Sequence, residues 1–97
     1  MSAIMISQIK VTDPQAFQSY MAKTQEVAAS YNAKLLFRGK MTNILNGNSG
    51  AHEMVVIVTF PDMKTLNSWY ASAEYQALIP LRDEGSDQLM ISYEEIV

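Results

Sequence analysis

Four stretches of the chain carry the apolar, extended pattern of strands, and the segments between them repeat at helical spacing. Ala3 to Val11 is rich in Ile and Val and reads as the first strand. Thr12-Asp13-Pro14 then opens a helix. Asp13 can accept from the first free backbone amides, and Pro14 suits a first helical position that needs no N–H. Phe17, Tyr20, Met21, Thr24, Val27, Ala28 and Tyr31 recur at three- and four-residue steps and share one face; Asn32 is the expected stop. Lys34 to Leu45 reads as a second strand, with a bulge or bend at Gly39. Asn46-Gly47-Asn48-Ser49-Gly50 is a turn cluster of the hairpin kind. Glu53 to Phe60 reads as the third strand and Gln88 to Ile96 as the last. Between them, Asp62 caps a helix that buries Met63, Leu66, Trp69 and Tyr70. Ser72 caps a further turn carrying Tyr75, Leu78 and Ile79, and Pro80 interrupts or restarts the helix.

The order β-α-β-β-α-β predicts an α+β, ferredoxin-like domain: a four-stranded antiparallel sheet with both helices on one face. The third strand has a further consequence. Met54, Val56, Val58 and Phe60 point one way, and Val55, Ile57 and Thr59 the other, so both faces are largely apolar. Ile4 and Ile6 oppose Met5 and Ile9 in the same manner. Two helices cover one face only. The other would be a contiguous apolar patch unless a second sheet, most simply that of an identical chain, packs on it. A homodimer through the helix-free sheet face is therefore expected from alternation alone.

Composition narrows the function classes. Residues 1–97 are of single-domain size, and 48% are hydrophobic, enough for a core with little surplus. Seven basic and ten acidic residues give a net charge of −3, which argues against nucleic acid as a partner. The absence of cysteine removes disulfides, thiol nucleophiles and thiolate metal sites, and fits a cytoplasmic protein. No signal-peptide pattern opens the sequence, and the longest apolar run, Met54 to Val58, is too short for a bilayer, so no membrane partner is expected. One histidine would leave an all-carboxylate metal site, and Glu94-Glu95 fall on opposite faces of a strand; neither metal nor cofactor is expected.

Several blocks together carry a resemblance: Val11-Thr12-Asp13-Pro14 with Phe17 and Tyr20; Arg38-Gly39; Val55-Val56-Ile57 into Phe60-Pro61; Trp69-Tyr70; Glu74-Tyr75-Gln76; and Pro80-Leu81-Arg82. In this order and spacing they resemble the uncharacterised domain family numbered 1330, of the dimeric α+β-barrel superfamily. The resemblance implies a homodimer with facing sheets and a cleft between helices and sheet in each protomer. The chain departs from the family's usual look at Lys40, at Ala73 and at Asp83-Glu84-Gly85, where the family more often continues a helix. The family carries no established chemistry, so what it implies is a pocket.

The ligand-binding candidates for that pocket are Arg38, Arg82, Tyr75, Tyr70, Trp69 and Tyr20. Arg38 and Arg82 are the only arginines, and a guanidinium is a natural bidentate partner for a carboxylate; the alternative for Arg82 is an ion pair with Glu74, Asp83, Glu84 or Asp87. Trp69, Tyr70 and Tyr75 offer an aromatic wall or, by their helical spacing, core and dimer contacts, the latter being the favoured reading for Trp69. Tyr75 and Tyr20 need polar partners if buried. His52, the sole histidine, adjoins the turn cluster and is expected to be solvated at the strand end, away from the cleft. Met21, Met54, Met63 and Met90 fall at core positions. Three functions fit: a small-molecule-binding homodimer for an aromatic or carboxylate ligand; a cofactor-independent enzyme, monooxygenase- or isomerase-like, using the same cleft; or an assembly protein whose cleft is filled.

Overall fold

The computed structural model describes residues 1–48 and 50–97. The elements are β1 (Ala3–Val11), α1 (Pro14–Ala29), β2 (Lys34–Lys40), β3 (Met54–Phe60), α2 (Met63–Ala71), α3 (Ala73–Gln76), α4 (Ile79–Gly85) and β4 (Ser86–Glu94). The strands form one sheet in the order β2-β3-β1-β4, with every neighbouring pair antiparallel. This is the expected ferredoxin-like topology.

The caps act where the sequence puts them. The Asp13 carboxylate accepts from the amides of Gln15 and Ala16, and Asp62 from that of Thr65. The Ser72 hydroxyl accepts from the Tyr75 amide and donates to the Trp69 carbonyl, so one side chain ends α2 and starts α3. Asn32 takes a φ of 58°, the left-handed conformation that stops α1. Pro80 lies in the first turn of α4, and α4 runs on through Asp83-Glu84-Gly85, so the helix continues where the sequence suggested that it would not. Gly85 is where α1 and α4 meet. Its carbonyl accepts from the amides of Thr12 and Asp13, and a Cβ there would stand 2.5 Å from the Phe17 backbone nitrogen.

Four strand boundaries differ from expectation, the smallest being the start of β3 at Met54 rather than Glu53. β2 ends at Lys40 rather than Leu45, and residues 41–53 form a longer connection than a tight hairpin. Of the turn cluster expected there, Ser49 lies outside the described residues. β4 begins two residues early, at Ser86, and ends at Glu94. The irregularity in β2 falls between Leu35 and Phe37 rather than at Gly39. Leu36 is the inserted residue. Leu35 pairs with Val58 on the helix-covered side; Phe37 then pairs with Ile57 on the other side, and Arg38 with Val56. One extra residue reverses the phase of the strand and turns Arg38 toward the helices.

The core lies between the sheet and the helices. Ala3, Met5, Ile9, Val56 and Phe60 contribute from the sheet, Phe17 and Tyr20 from α1, and Leu66, Trp69 and Tyr75 from α2 and α3. Met21, Met54, Met63 and Met90 pack around it as expected. Tyr70 does not join it. Trp69 takes the inward position and Tyr70, one residue round the helix, is 37% exposed. On the opposite side, β-register aligns Ile4, Ile6, Val55, Ile57, Leu89, Ile91, Tyr93 and Phe37 on a face that no helix covers. Phe37, Leu89 and Tyr93 are each about half exposed there.

Candidate functional site

A cavity of about 300 Å³ opens between α1 and the sheet. It exists because α1 packs on α4 through the Gly85 contact and stands away from β2 and β3. The wall from the sheet is apolar at Ile9, Val56 and Val58, and the wall from α1 at Met21 and Ala28. Polar groups interrupt it. Ser7 and Gln88 lie on the floor, Thr24 and Gln25 on the α1 side, and Arg38 on β2. Tyr20 and Trp69 line it as well.

The floor is organised by a hydrogen-bond chain. The Ser7 hydroxyl donates to the Gln88 carbonyl oxygen at 2.6 Å; the Gln88 amide donates to the Ser86 hydroxyl at 2.9 Å; and Ser86 donates to the Arg82 carbonyl at 2.7 Å. Both serines are buried, and each is satisfied. The chain holds the Gln88 amide plane fixed beside the cavity. Sequence reasoning missed Ser7 and Gln88. The available signal was Ser7 itself, a polar break in the otherwise apolar series Ala3, Met5, Ile9 on the inner face of β1.

Beside the cavity, four aromatic rings pack in series. Phe60 and Trp69 are 5.2 Å apart between centroids, Trp69 and Tyr75 4.6 Å, and Tyr75 and Tyr70 5.0 Å. Tyr20 meets Tyr75 edge-on, with their hydroxyls 2.9 Å apart. Nη1 of Arg82 donates to the hydroxyls of Tyr75 and Tyr70, each at 3.2 Å, and Nε donates to Asp83 at 3.0 Å. Burial pushes the Tyr20 phenol up, reinforced by the neighbouring Tyr75. Burial also raises Tyr75, against the opposing pull of its bonds to Tyr20 and Arg82. For Arg82 burial disfavours the charge, but its bonds to Tyr70, Asp83 and Tyr75 outweigh it and the net direction is up. Both phenols therefore stay protonated and the guanidinium charged at any ordinary pH.

Of the six sequence candidates, Arg38, Tyr20 and Trp69 line the cavity. Tyr75 is fully buried behind Tyr20 and Trp69. Tyr70 and Arg82 lie beyond it, with Arg82 paired to Asp83 as one of the anticipated ion pairs. Arg38 is exposed at the mouth on the edge strand. The indole nitrogen of Trp69 is buried and has no hydrogen-bond partner among the described residues.

His52 differs from expectation. Its side chain is only 20% exposed, and Nε2 stands 3.5 Å from an Asp87 carboxylate oxygen without making a hydrogen bond. His52, two residues before β3, reaches Asp87 of β4 across the end of β1, a contact between residues remote in sequence. His52 does not line the cavity described above. Among the described residues, no cluster of three or more His, Cys, Asp or Glu side chains could hold a metal ion. No helix among them is long and apolar enough to cross a membrane.

The element order and sheet topology define an α+β protein of ferredoxin-like fold, with a cavity under α1. Residues 2–96 match the family described as Domain of unknown function (DUF1330), and the chain belongs to that family. No curated protein matches it significantly. A protein of unknown function from Rhodopseudomonas palustris has a similar structure, with a TM-score of 0.80 at 16% identity over 99% of this chain and 83% of that one. SnoaB, a cofactor-independent oxygenase from Streptomyces nogalater, superposes with a TM-score of 0.68 at 13% identity over 99% and 94% of the two chains. A dimeric ferredoxin-like protein of unknown function from Jannaschia sp. CCS1 gives 0.70 at 12% identity over 98% and 100%. At these identities the likeness establishes the shared fold.

Proposed function

We propose that this protein binds a small aromatic carboxylate in the cavity between α1 and the sheet. The observation that carries the reading is the cavity itself: an apolar enclosure with an aromatic wall and one guanidinium at its mouth. Such a site holds a flat apolar body inside while Arg38 meets the carboxylate at the rim. The β2 bulge supports this role, because without it Arg38 would point to the opposite side of the sheet. Trp69 and Tyr20 supply the flat walls; Tyr75, Tyr70 and Arg82 act behind them. A cavity of this size weighs against an assembly protein with a filled cleft.

The test is thermal stabilisation by benzoate, phenylacetate and toluene. Benzoate at 100 times its dissociation constant should add about 2.7 kcal/mol. Arg38→Ala should weaken benzoate about tenfold, since charge-assisted bonds contribute roughly 1.5–3 kcal/mol, and leave toluene unchanged. Equal binding of benzoate by both proteins would remove Arg38 from the site.

The protein is also proposed to act as a homodimer joined through the face that carries Ile57 and Phe37. The dimeric neighbours and the exposed apolar side chains there support this arrangement. A cofactor-independent enzyme in the same cleft is the second reading. What favours it is a set of buried hydroxyls beside the cavity, Ser7, Tyr20 and Tyr75, in a fold shared with SnoaB. Oxygen uptake or loss of any bound probe on incubation would move the balance to that reading.

A further inference from the structure

The hydrogen-bond chain on the cavity floor has a fixed direction, because it ends on a backbone carbonyl. A carbonyl only accepts, so the Ser86 hydroxyl gives its one proton to the Arg82 oxygen, 2.7 Å away. Ser86 can then only accept from Gln88, and the Gln88 atom at 2.9 Å must be the amide nitrogen. The carbonyl oxygen of the same amide is thereby turned to Ser7. Ser7 in turn must give its one proton to that oxygen, at 2.6 Å. The Ser7 hydroxyl is left with lone pairs and no proton to offer. Ser7 and Gln88 both line the cavity.

The sheet register sets this acceptor across from Arg38. Arg38 pairs with Val56, and Val56 pairs with Ser7, so the three form one row over β2, β3 and β1. All three line the cavity. The row covers two strand spacings, roughly 10 Å between its end residues. A cation stands at one end, an apolar side chain in the middle and an acceptor at the other end. The carboxylate, ring and hydroxyl of a hydroxylated aromatic acid follow the same order.

We infer that Ser7 accepts a hydrogen bond from a hydroxyl at the end of the bound molecule remote from its carboxylate, so that the site selects hydroxylated aromatic acids. The inference rests on the proposed cavity site. Gln88 is a positioning residue, acting through Ser7 by holding its proton away from the ligand. A ligand acceptor placed at Ser7 would meet lone pairs with no proton between.

Calorimetric titration with three para-substituted benzoates tests this. 4-Hydroxybenzoate carries a donor, 4-fluorobenzoate no donor and 4-formylbenzoate a carbonyl acceptor. The wild type should bind the hydroxy acid about five- to tenfold more tightly than the other two, the effect of one net hydrogen bond. Ser7→Ala should bring the hydroxy-to-fluoro ratio to within a factor of two, mostly by weakening the hydroxy acid. Gln88→Met frees the Ser7 proton, and should improve 4-formylbenzoate about fivefold relative to 4-fluorobenzoate. A purely structural role for either residue would shift all three acids together. The wild-type comparison needs no variant to fold. Equal affinity for the hydroxy and fluoro acids, or no relative gain for the formyl acid in Gln88→Met, would overturn the inference and, with benzoate still bound, leave the cavity reading standing. No binding of benzoate or of any of the three acids by the wild type would overturn both.

Discussion

Ile57→Asp is expected to dissociate the proposed dimer, or to unfold the chain where dissociation leaves it unstable. Ile57 lies at the centre of the helix-free face, opposite Ile6 on one side and Phe37 on the other. A carboxylate there would be taken out of water against the apolar groups of the proposed interface. The penalty for such an ion is several kcal/mol, so the dissociation constant should rise by on the order of a thousandfold. Light scattering on the eluted peak measures it. The wild type should appear at about twice the 10.9 kDa chain mass at micromolar concentration, and the variant at the chain mass or in aggregates. A wild-type monomer at that concentration would contradict the proposed interface.

Gly85→Ala is expected to be the most damaging single-methyl change in the chain. The added Cβ would lie 2.5 Å from the Phe17 nitrogen and 2.8 Å from its Cα. Those are backbone atoms of α1 and cannot rotate away. The helix must shift, straining the bonds from Thr12 and Asp13 to the Gly85 carbonyl and opening the packing around Phe17. Overpacking of this kind costs about 3 kcal/mol, at the upper end of the usual range. For a domain of this size the melting temperature should fall by on the order of 15 °C. Thermal denaturation followed by circular dichroism checks it; a fall of less than about 3 °C would mean that α1 tolerates the displacement. Because the same contact holds α1 off β2 and β3, a variant that folds should also bind benzoate less well.

Much of the fold was legible in the sequence because its signals are local. Asp13, Asp62, Ser72, Asn32 and Pro80 each act within a turn of their own position. The two-faced apolar character of β3 is local too, and it alone implied an uncovered side. The site was legible in part. Arg38, Tyr20 and Trp69 could be named as candidates, but the reason Arg38 reaches the cavity could not. That depends on a bulge at Leu36, set by pairing with β3 and unmarked by any glycine or proline. The bond from Tyr20 to Tyr75 joins residues 55 apart, and Ser7 meets Gln88 across 81. No spacing rule connects such pairs. His52 shows the same limit, since its neighbour Asp87 belongs to a strand on the far side of β1.

The central claim is that the space between α1 and the sheet is a ligand site, and methyl NMR during a titration with benzoate tests it most directly. The methyls of Met21, Ala28, Val56 and Val58 line the cavity, whereas those of Ile4, Ile6 and Ile91 lie on the opposite side of the sheet. Saturable shifts are expected in the first set, with the second set nearly still, and in Arg38→Ala the same shifts should need about tenfold more benzoate to saturate. Shifts confined to the second set, or none at millimolar benzoate, would contradict it.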